Sequence, residues 1–269
     1  MLRSLLMIIP VVCIAVTAQA EDSRLERLDT GDDSRMWQAV GRLDIDGRGF
    51  CTGALISPKL VLTAAHCLYD KQTGARVNHE TVEFLAGWRN GRAEAYRWVK
   101  RVAIHPEYEF NNDVAAERVR NDVALLELHH PIRNTRVIPF KTDIRPRKGQ
   151  RIGVVSYAKD RSEAPSLQEV CDVMGRQQGV LIMSCDVNFG SSGAPIFSFE
   201  AGEPRVVSVV SAMAEVEGKK VSLGTQLQKP LDLLYRQLDE NRIVTPRTGS
   251  QSRFSSGKDR QTSAKFAKP

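Results

Sequence analysis

The chain is divided into many short apolar runs separated by Gly, Pro, Asn and Asp, and this pattern constrains its fold more than any other feature. Short, closely spaced runs rich in Val, Leu and Ile are typical of all-β barrels and sandwiches. A turn-rich join near residues 133–149 divides the runs into two sets. The predicted strands are residues 53–56, 60–63, 82–85, 98–104 and 123–128 in the first set, and 152–157, 179–183, 194–197 and 205–210 in the second.

One helix is predicted after the second set of strands. Residues 230–237 carry apolar side chains at helical spacing, and Pro230 stands where helices often begin. We therefore expect an N-terminal β unit at 36–135 and a C-terminal β unit with a closing helix at 136–243. Each has enough residues for a small core.

The N-terminal end has the order of an export signal. Arg3, an apolar run at 5–16 and the small-x-small pattern Ala18-Gln19-Ala20 predict a signal peptide at residues 1–20 and a periplasmic or extracellular protein. The apolar run is too short for a comfortable transmembrane segment. Residues 21–35 are dense in charge, and we expect them to form a mobile polar leader or propeptide.

Most of the net charge of +6 lies in the C-terminal tail, residues 244–269, and the rest comes from Arg3 of the predicted signal. That tail holds six basic residues against one acidic residue, so the rest of the exported chain is near neutral. Because it is rich in Ser, Thr, Gln and Lys, the tail is predicted to be disordered. It either contacts an anionic surface or is a dispensable solvated extension.

Four cysteines remain once Cys13 is removed with the signal, namely Cys51, Cys67, Cys171 and Cys185. An even number in an oxidising compartment predicts two disulfides. Four cysteines allow three pairings, and sequence alone does not choose among them.

Three short motifs carry the chemistry. His66 lies in segment 63–67, Asp122 in segment 121–125, and Ser192 between glycines in segment 190–195. A serine hydroxyl is a weak nucleophile near neutral pH, so it needs a base, and that base needs a third group to fix its tautomer. The chain order predicts His66 as the base, Asp122 as the orienter and Ser192 as the nucleophile, with the neighbouring Ser191 as the competing nucleophile.

With these three motifs in this order, the chain resembles the trypsin-like serine endopeptidases of chymotrypsin fold. Within them it resembles the secreted bacterial branch related to the glutamyl endopeptidases, over roughly residues 36–241. The resemblance implies an all-β fold of two six-stranded antiparallel β-barrels with a C-terminal helix, and a site in the cleft between the barrels. It also implies an oxyanion hole formed by the backbone N–H groups of Gly190 and Ser192.

The same resemblance favours one of the three cysteine pairings. It implies a bridge between Cys51 and Cys67 and a second bridge between Cys171 and Cys185. The first would clamp a strand against the turn that carries His66. A loop of that length contributes ~3 kcal/mol in the chain-entropy model.

The chain departs from the animal enzymes in its maturation signals. In those enzymes the nucleophile follows an aspartate that pairs with a newly freed N-terminus. Here Ser191 fills that position, and no Ile-Val-Gly-Gly-like start precedes the body. We therefore expect a chain that starts at Glu21 to have a formed site, although the leader contains basic residues at which it could be trimmed.

Substrate preference is less constrained. Asp186 lies six residues before Ser192, where trypsin carries the aspartate that binds Arg or Lys side chains, but it follows Cys185 and could equally be a structural hydrogen-bonding residue. Ser211 and Met213 fall where the family builds the far wall of the pocket, and Met213 would narrow its mouth. The histidine of glutamyl-specific relatives is not evident, which argues against Glu specificity.

The sequence thus indicates a secreted serine endopeptidase that cleaves a protein or peptide substrate through an acyl-enzyme. Two alternatives stay open: a catalytically idle relative used as a binding module, and a narrow processing protease or esterase on the same scaffold. No metal-ligand spacing and no glycine-rich phosphate loop is present, so we expect no metal, nucleotide or other cofactor.

Overall fold

The structure is a computed structural model that describes residues 25–111, 115–143, 146–216 and 218–243, so the predicted signal and tail lie outside it. All nine predicted strands are present, and four further strands and one short helix were not predicted. The strands are β1 (Glu26–Arg27), β2 (Val40–Ile45), β3 (Gly49–Ser57), β4 (Leu60–Thr63), β5 (Val82–Ala86), β6 (Ala95–Ile104), β7 (Ala124–Leu128), β8 (Arg151–Ala158), β9 (Arg161–Gln177), β10 (Val180–Met183), β11 (Pro195–Ser198), β12 (Arg205–Val216) and β13 (Lys219–Gln226). The helices are α1 (Ala116–Asn121) and α2 (Gln228–Ile243), with single 3-10 turns at Arg35–Trp37, Ala65–Leu68 and His79–Thr81.

Strands β2 to β7 form a closed antiparallel barrel in the order β2-β3-β4-β7-β6-β5. The ring closes where β2 pairs with β5, with Gly41 opposite Ala86. Inward-facing aliphatic and aromatic side chains fill the barrel, among them the fully buried Leu62, Phe84 and Leu125. Alternation along each strand places these residues on the inner face.

Strands β8 to β13 form the second barrel, in the order β9-β10-β13-β12-β11-β8, and it closes where β8 pairs with β9. Its separate core includes the buried residues Ile152, Met183 and Ile196. The expected architecture of two six-stranded antiparallel barrels is therefore confirmed.

The C-terminal helix α2 runs over Gln228–Ile243 and is longer at both ends than the predicted 230–237. It packs against β6 and β7 of the first barrel and buries Leu231, Leu234 and Leu238. The Arg101 guanidinium on β6 donates a 2.8 Å hydrogen bond to the carbonyl of Leu238. The helix thus follows the second barrel in sequence and fastens it to the first.

An aromatic cluster joins the two barrels on another side. The ring of Trp37, just before the first barrel, lies 5.0 Å from the ring of Phe197 on β11. Phe140, in the connection between the barrels, lies 4.7 Å from the same ring. Because all three side chains are buried, the barrels share one apolar contact surface that fixes their relative position.

The expectation of a mobile leader is wrong for residues 25–35. Strand β1 pairs antiparallel with β9, with Glu26 opposite Leu167. Leu28 is 2% exposed and belongs to the core, and its N–H donates a 2.9 Å hydrogen bond to the carbonyl of Pro165. Because the segment is dense in charge, the sequence pattern did not indicate that Leu28 would be buried.

Two disulfides are present, Cys51–Cys67 and Cys171–Cys185, which is the pairing implied by the resemblance. The first joins β3 to the turn after β4, and the second joins β9 to the segment after β10. Both lie against buried side chains of the barrel cores. No helix within the described residues is long and apolar enough to cross a membrane.

Candidate active site

The predicted base and its predicted orienter lie in direct contact. His66 is on the 3-10 turn Ala65–Leu68, which follows β4 at once, and Asp122 lies between α1 and β7. Nδ1 of His66 is 2.7 Å from Oδ2 of Asp122, and the backbone N–H of His66 donates to Oδ1 at 2.9 Å. Both carboxylate oxygens therefore orient the same histidine, and with Nδ1 as the donor the ring's Nε2 is left to accept a proton.

Asp122 is fully buried, and its charge is held by three donors. Burial raises the pKa of Asp122, but the charge of His66, the hydrogen bond from its ring, the hydroxyl of Ser211 and the His66 backbone N–H together outweigh it. The pKa of Asp122 consequently lies below the ordinary value for an aspartate. Ser211, expected only in the pocket wall, donates its hydroxyl to Oδ2 of Asp122.

The two neighbouring serines point in different directions. Ser191 is fully buried, and its Oγ lies 3.2 Å from Oγ of Ser156 and 3.3 Å from the N–H of Asn188. Ser192 is half-buried and lines the same cleft as His66. Within the described part of the chain the Ser192 hydroxyl makes no hydrogen bond, so it is available to a base or a substrate.

The loop around Ser192 has two glycines that no other residue could replace. Gly190 has φ +98°, and a Cβ there would lie 2.5 Å from the ring of Phe50. Gly193 has φ +74°, and a Cβ would lie 2.1 Å from Oγ1 of Thr63. The backbone of the loop therefore lies directly against the first barrel, in a conformation that a side chain at either glycine would prevent.

Two backbone N–H groups in this loop were expected to form an oxyanion hole. Among the described residues, neither the N–H of Gly190 nor the N–H of Ser192 donates a hydrogen bond. A half-buried loop that leaves two N–H groups unpaired beside a candidate nucleophile is unusual, because backbone donors are normally satisfied. Such a pair can stabilise a negatively charged oxygen on a carbonyl carbon attacked by Ser192.

The cleft that holds His66 and Ser192 has a volume of about 280 Å³. Of the residues predicted from the sequence to bind substrate, Ser211 and Met213 line it, and Met213 is 44% exposed at its rim. Asp186, the third residue predicted to bind substrate, is not among the described residues that line the cleft.

Asp186 is exposed because buried and exposed side chains alternate along its segment. Cys185 and Val187 point inward and are buried, which turns Asp186 between them outward to solvent. Its backbone N–H is held by Oε1 of Gln168 at 2.8 Å. Burial lowers the pKa of Arg161 below its ordinary value, and the charges of Asp160 and Asp186 offset part of that lowering.

Sequence reasoning missed most of the cleft wall. Apolar side chains from both barrels form it, including Phe110 from the first barrel and Phe189, Val187 and Val210 from the second. Phe189 is 62% exposed and directly precedes Gly190, a position next to the nucleophile motif that could have drawn attention to it. Phe110 carries no such signal, because it lies in a loop far from the motifs in sequence.

Charged groups in the cleft are cationic. The side chains of Lys71 and Arg118 line it, and no carboxylate does so among the described lining residues. The Lys71 ammonium lies 5.6 Å from the centre of the Phe189 ring, across the cleft from the first barrel to the second. This is a distance at which an ammonium is attracted to an aromatic face.

A second hollow, of about 370 Å³, shares His66 and Lys71 with this cleft. It is lined in part by Phe50, Tyr69 and the disulfide of Cys51 and Cys67. These two sulfurs lie close to the His66 ring, but they are bonded to each other and are therefore not thiolate ligands for a metal. The candidate base therefore borders both hollows.

A family model described as Trypsin matches residues 29–229, and the chain belongs to the trypsin family. Among its curated relatives, a glutamyl endopeptidase of Bacillus licheniformis is 28% identical over 150 residues, which are 55% of this chain and 45% of that protein. Serine protease 23 of Mus musculus is 29% identical over 163 residues, which are 55% of this chain and 42% of that protein. The chain thus spans a little under half the length of these relatives.

Solved structures show the same fold. A Glu endopeptidase in complex with MPD superposes with a TM-score of 0.64 at 16% identity, covering 81% of this chain and 97% of that one. A thermostable serine protease, AL20, from an extremophilic microorganism gives a TM-score of 0.58 at 17% identity, covering 76% of this chain and 97% of that one. At such identities the likeness concerns the fold alone.

Proposed function

We propose that this chain is a serine endopeptidase that hydrolyses peptide bonds through an acyl-enzyme on Ser192. Ser192 Oγ attacks the carbonyl carbon while Nε2 of His66 takes its proton, and Asp122 stabilises the resulting imidazolium. The proton then passes to the leaving amine as the peptide bond breaks. Water, deprotonated by His66, releases the acyl group and restores Ser192.

The observation that carries this proposal is the polar geometry around one cleft. The doubly hydrogen-bonded pair of His66 and Asp122 borders the cleft that Ser192 also lines. The unpartnered N–H groups of Gly190 and Ser192 supply the donors that a tetrahedral intermediate needs. The buried position of Ser191 favours Ser192 as the nucleophile.

We further propose that the loop reaches this conformation without a newly freed N-terminus. The guanidinium of Arg161, with a side chain 10% exposed, donates to Oγ of Ser156 at 3.1 Å and to Oγ of Ser191 at 3.5 Å. A cation from within the chain thus lies beneath the residue before the nucleophile. A form starting at Glu21 is therefore expected to be active, and one that gains activity only after leader cleavage would contradict this.

The proposed substrates are peptides with apolar or acidic side chains at the cleaved bond. The cleft wall is apolar, its charges are those of Lys71 and Arg118, and Asp186 lies outside it. An arginine or lysine side chain in this 280 Å³ cleft would therefore meet no carboxylate among its described lining residues, because Asp46 and Asp70 line the second hollow and not this cleft. The acidic part of this proposal rests on Lys71 and Arg118; the histidine of glutamyl-specific relatives is not evident in the chain, so no specificity for Glu over Asp is proposed.

The proposal is tested by digestion of a denatured protein substrate with the chain starting at Glu21, followed by sequencing of the new peptide ends. We expect cleavage that is abolished in Ser192→Ala and retained in Ser191→Ala. Cleavage after Arg and Lys should be rare compared with apolar and acidic residues. Equal digestion by Ser192→Ala would refute the endopeptidase assignment, and dominant cleavage after Arg and Lys would refute the substrate class.

Export is proposed on two grounds. The sequence of residues 1–20 has the order of a signal peptide, and the two disulfides are of the kind that persist in oxidising compartments. A contact of the basic tail with an anionic surface has no support from the described residues.

A further inference from the structure

Thr52 connects the first barrel to the loop that carries the candidate nucleophile. It lies on β3, is fully buried, and directly follows Cys51. Its Oγ1 donates a 2.9 Å hydrogen bond to the carbonyl of Gly190 and accepts one of 3.1 Å from the N–H of Tyr157. Its backbone N–H donates to the carbonyl of Ser192 at 2.9 Å. One residue therefore holds the carbonyls of both residues whose N–H groups are unpartnered.

A glycine needs such external contacts more than any other residue. Gly190 lacks a side chain and has φ +98°, so its own structure does not fix the direction of its N–H. The peptide group before it is held at the carbonyl of Phe189, which accepts a 2.7 Å hydrogen bond from the N–H of Lys159. The peptide group after it is held by the Thr52 hydroxyl. Together these two bonds fix both backbone angles of Gly190.

Of these two contacts, only the one from Thr52 depends on a side chain. The bond from Lys159 joins two backbone groups and persists whatever side chain stands there. The hydroxyl of Thr52 is satisfied as both donor and acceptor, which fixes its own orientation. A substitution at Thr52 is thus a selective way to release the peptide group after Gly190, which links the Gly190 N–H to the Ser192 N–H.

The same strand also carries the connection to the base. Cys51, next to Thr52, is bonded to Cys67, next to His66. Cys51 therefore connects β3 to the turn that carries His66, and Thr52, the next residue, connects β3 to the loop that carries Gly190. A movement of this strand would displace both groups together and preserve their separation.

We propose that Thr52 is a positioning residue: its hydroxyl holds the peptide group after Gly190 and so keeps the N–H groups of Gly190 and Ser192 in one common orientation towards the developing oxyanion. This inference rests on the proposed function, because it assigns a role within the same reaction. Loss of one oxyanion-hole donor typically lowers the rate by ~10²–10³. A donor that is still present but wrongly oriented should lower the rate by about 10- to 100-fold. The loss should affect kcat more than KM.

The test compares hydrolysis of 4-nitrophenyl acetate with that of its thiono analogue, in which sulfur replaces the carbonyl oxygen. Sulfur accepts hydrogen bonds weakly, so only the oxygen ester depends strongly on the oxyanion donors. The variants are Thr52→Val, which keeps the shape and removes the hydroxyl, and Thr52→Ser, which keeps the hydroxyl. Ser208→Ala is the matched control, because Ser208 is fully buried and its hydroxyl donates to a backbone carbonyl, that of Thr225, at 2.9 Å.

We expect Thr52→Val to lose rate selectively on the oxygen ester, Thr52→Ser to stay near the wild type, and Ser208→Ala to leave the ratio of the two rates unchanged. Each variant is assayed below its own thermal unfolding midpoint. If Thr52→Val does not fold, Thr52→Cys, with its weak thiol donor, should show an intermediate selective loss.

An unchanged ratio in the Thr52 variant, or an equal change in Ser208→Ala, would overturn the inference while leaving the proposed function intact. A wild-type protein that hydrolyses the oxygen ester no faster than Ser192→Ala would instead refute the proposed function, and the inference with it. The two failures are distinguishable because the second needs no Thr52 variant.

Discussion

At the residue scale, the buried carboxylate of Asp122 is the group whose environment most affects both stability and chemistry. Three donors from two barrels meet on it, two from His66 and one from Ser211. A hydrogen bond to a charged group contributes more than one between neutral groups. The Ser211 hydroxyl therefore belongs to the site as a support of Asp122, in addition to its place in the cleft wall.

Ser211→Ala should destabilise the chain more than Ser208→Ala on the same strand. Both serines are buried, but Ser211 donates to a carboxylate and Ser208 to a backbone carbonyl. We expect losses of about 2 and about 1 kcal/mol in the free energy of unfolding, measured by urea titration at neutral pH. Equal losses would show that the hydroxyl of Ser211 does not stabilise the charge of Asp122.

The lowered pKa of Asp122 has a defined pH signature. A carboxyl group with a lower pKa in the folded chain contributes stability that is complete above its unfolded pKa, about 3.9, and is lost as the pH falls through the folded value. The difference in unfolding free energy between the wild type and Asp122→Asn should therefore be constant near neutral pH and shrink below about pH 4. Urea titrations across this range measure it, and a difference that grows on acidification would contradict the lowered pKa.

At the element scale, β1 and the residues after it form an integral part of the fold. Strand β1 adds an edge to β9, and Leu28 fills a place in the core. Removal of this segment would expose apolar surface and unpair part of β9. Trimming of the leader within residues 25–35 is thus expected to weaken the fold and not to activate the protein.

Leu28→Ala tests this role against a control in the same segment. Truncation of a buried leucine should lower the free energy of unfolding by about 2–5 kcal/mol. Met36, which is 65% exposed, is the matched apolar position, and Met36→Ala should change it by less than about 0.5 kcal/mol. Thermal or urea unfolding measures both, and a harmless Leu28→Ala would restore the view of a detachable leader.

A comparison of the two disulfides distinguishes a contribution to stability from a contribution to the position of the site residues. They close loops of similar length, with separations of 16 and 14 residues, so each should contribute about 3 kcal/mol to the free energy of unfolding. Only Cys51–Cys67 lies beside His66 and Thr52. Replacement of each pair by alanine should therefore lower the free energy of unfolding by the same amount. Only loss of the first pair should lower kcat on 4-nitrophenyl acetate, measured at a temperature below the unfolding midpoints of both variants. Equal kinetic effects would contradict the positioning role.

At the scale of the whole molecule, closure of two barrels against each other brings together residues far apart in sequence. His66 and Asp122 come from the first barrel and Ser192 from the second, and the aromatic contacts of Trp37 fix the barrels relative to one another. The backbone of Thr52 and the hydroxyl of Ser211 are further contacts across this boundary. The site is a property of the packed pair of barrels and of neither barrel alone.

Apolar runs and motif order were sufficient to predict nine strands and four residues that line the cleft, His66, Ser192, Ser211 and Met213, but polar strands and most of the cleft wall were missed. Strand β9 buries Ser166 and Gln168, and β13 begins with two lysines, so neither has an apolar run to mark it. Such strands are specified by pairing with neighbours that are distant in sequence. The outward turn of Asp186 likewise depends on its buried neighbours, which motif spacing does not record.

The central claim is that Ser192 is an activated nucleophile, and labelling with a serine-directed phosphonofluoridate tests it most directly. The chain starting at Glu21 is treated beside Ser192→Ala and Ser191→Ala, and the modified residue is located by mass spectrometry of the peptides. We predict one label per chain, on Ser192, lost in Ser192→Ala and retained in Ser191→Ala. A chain that takes no label, or one that is labelled on Ser191 or elsewhere, would contradict the proposed mechanism.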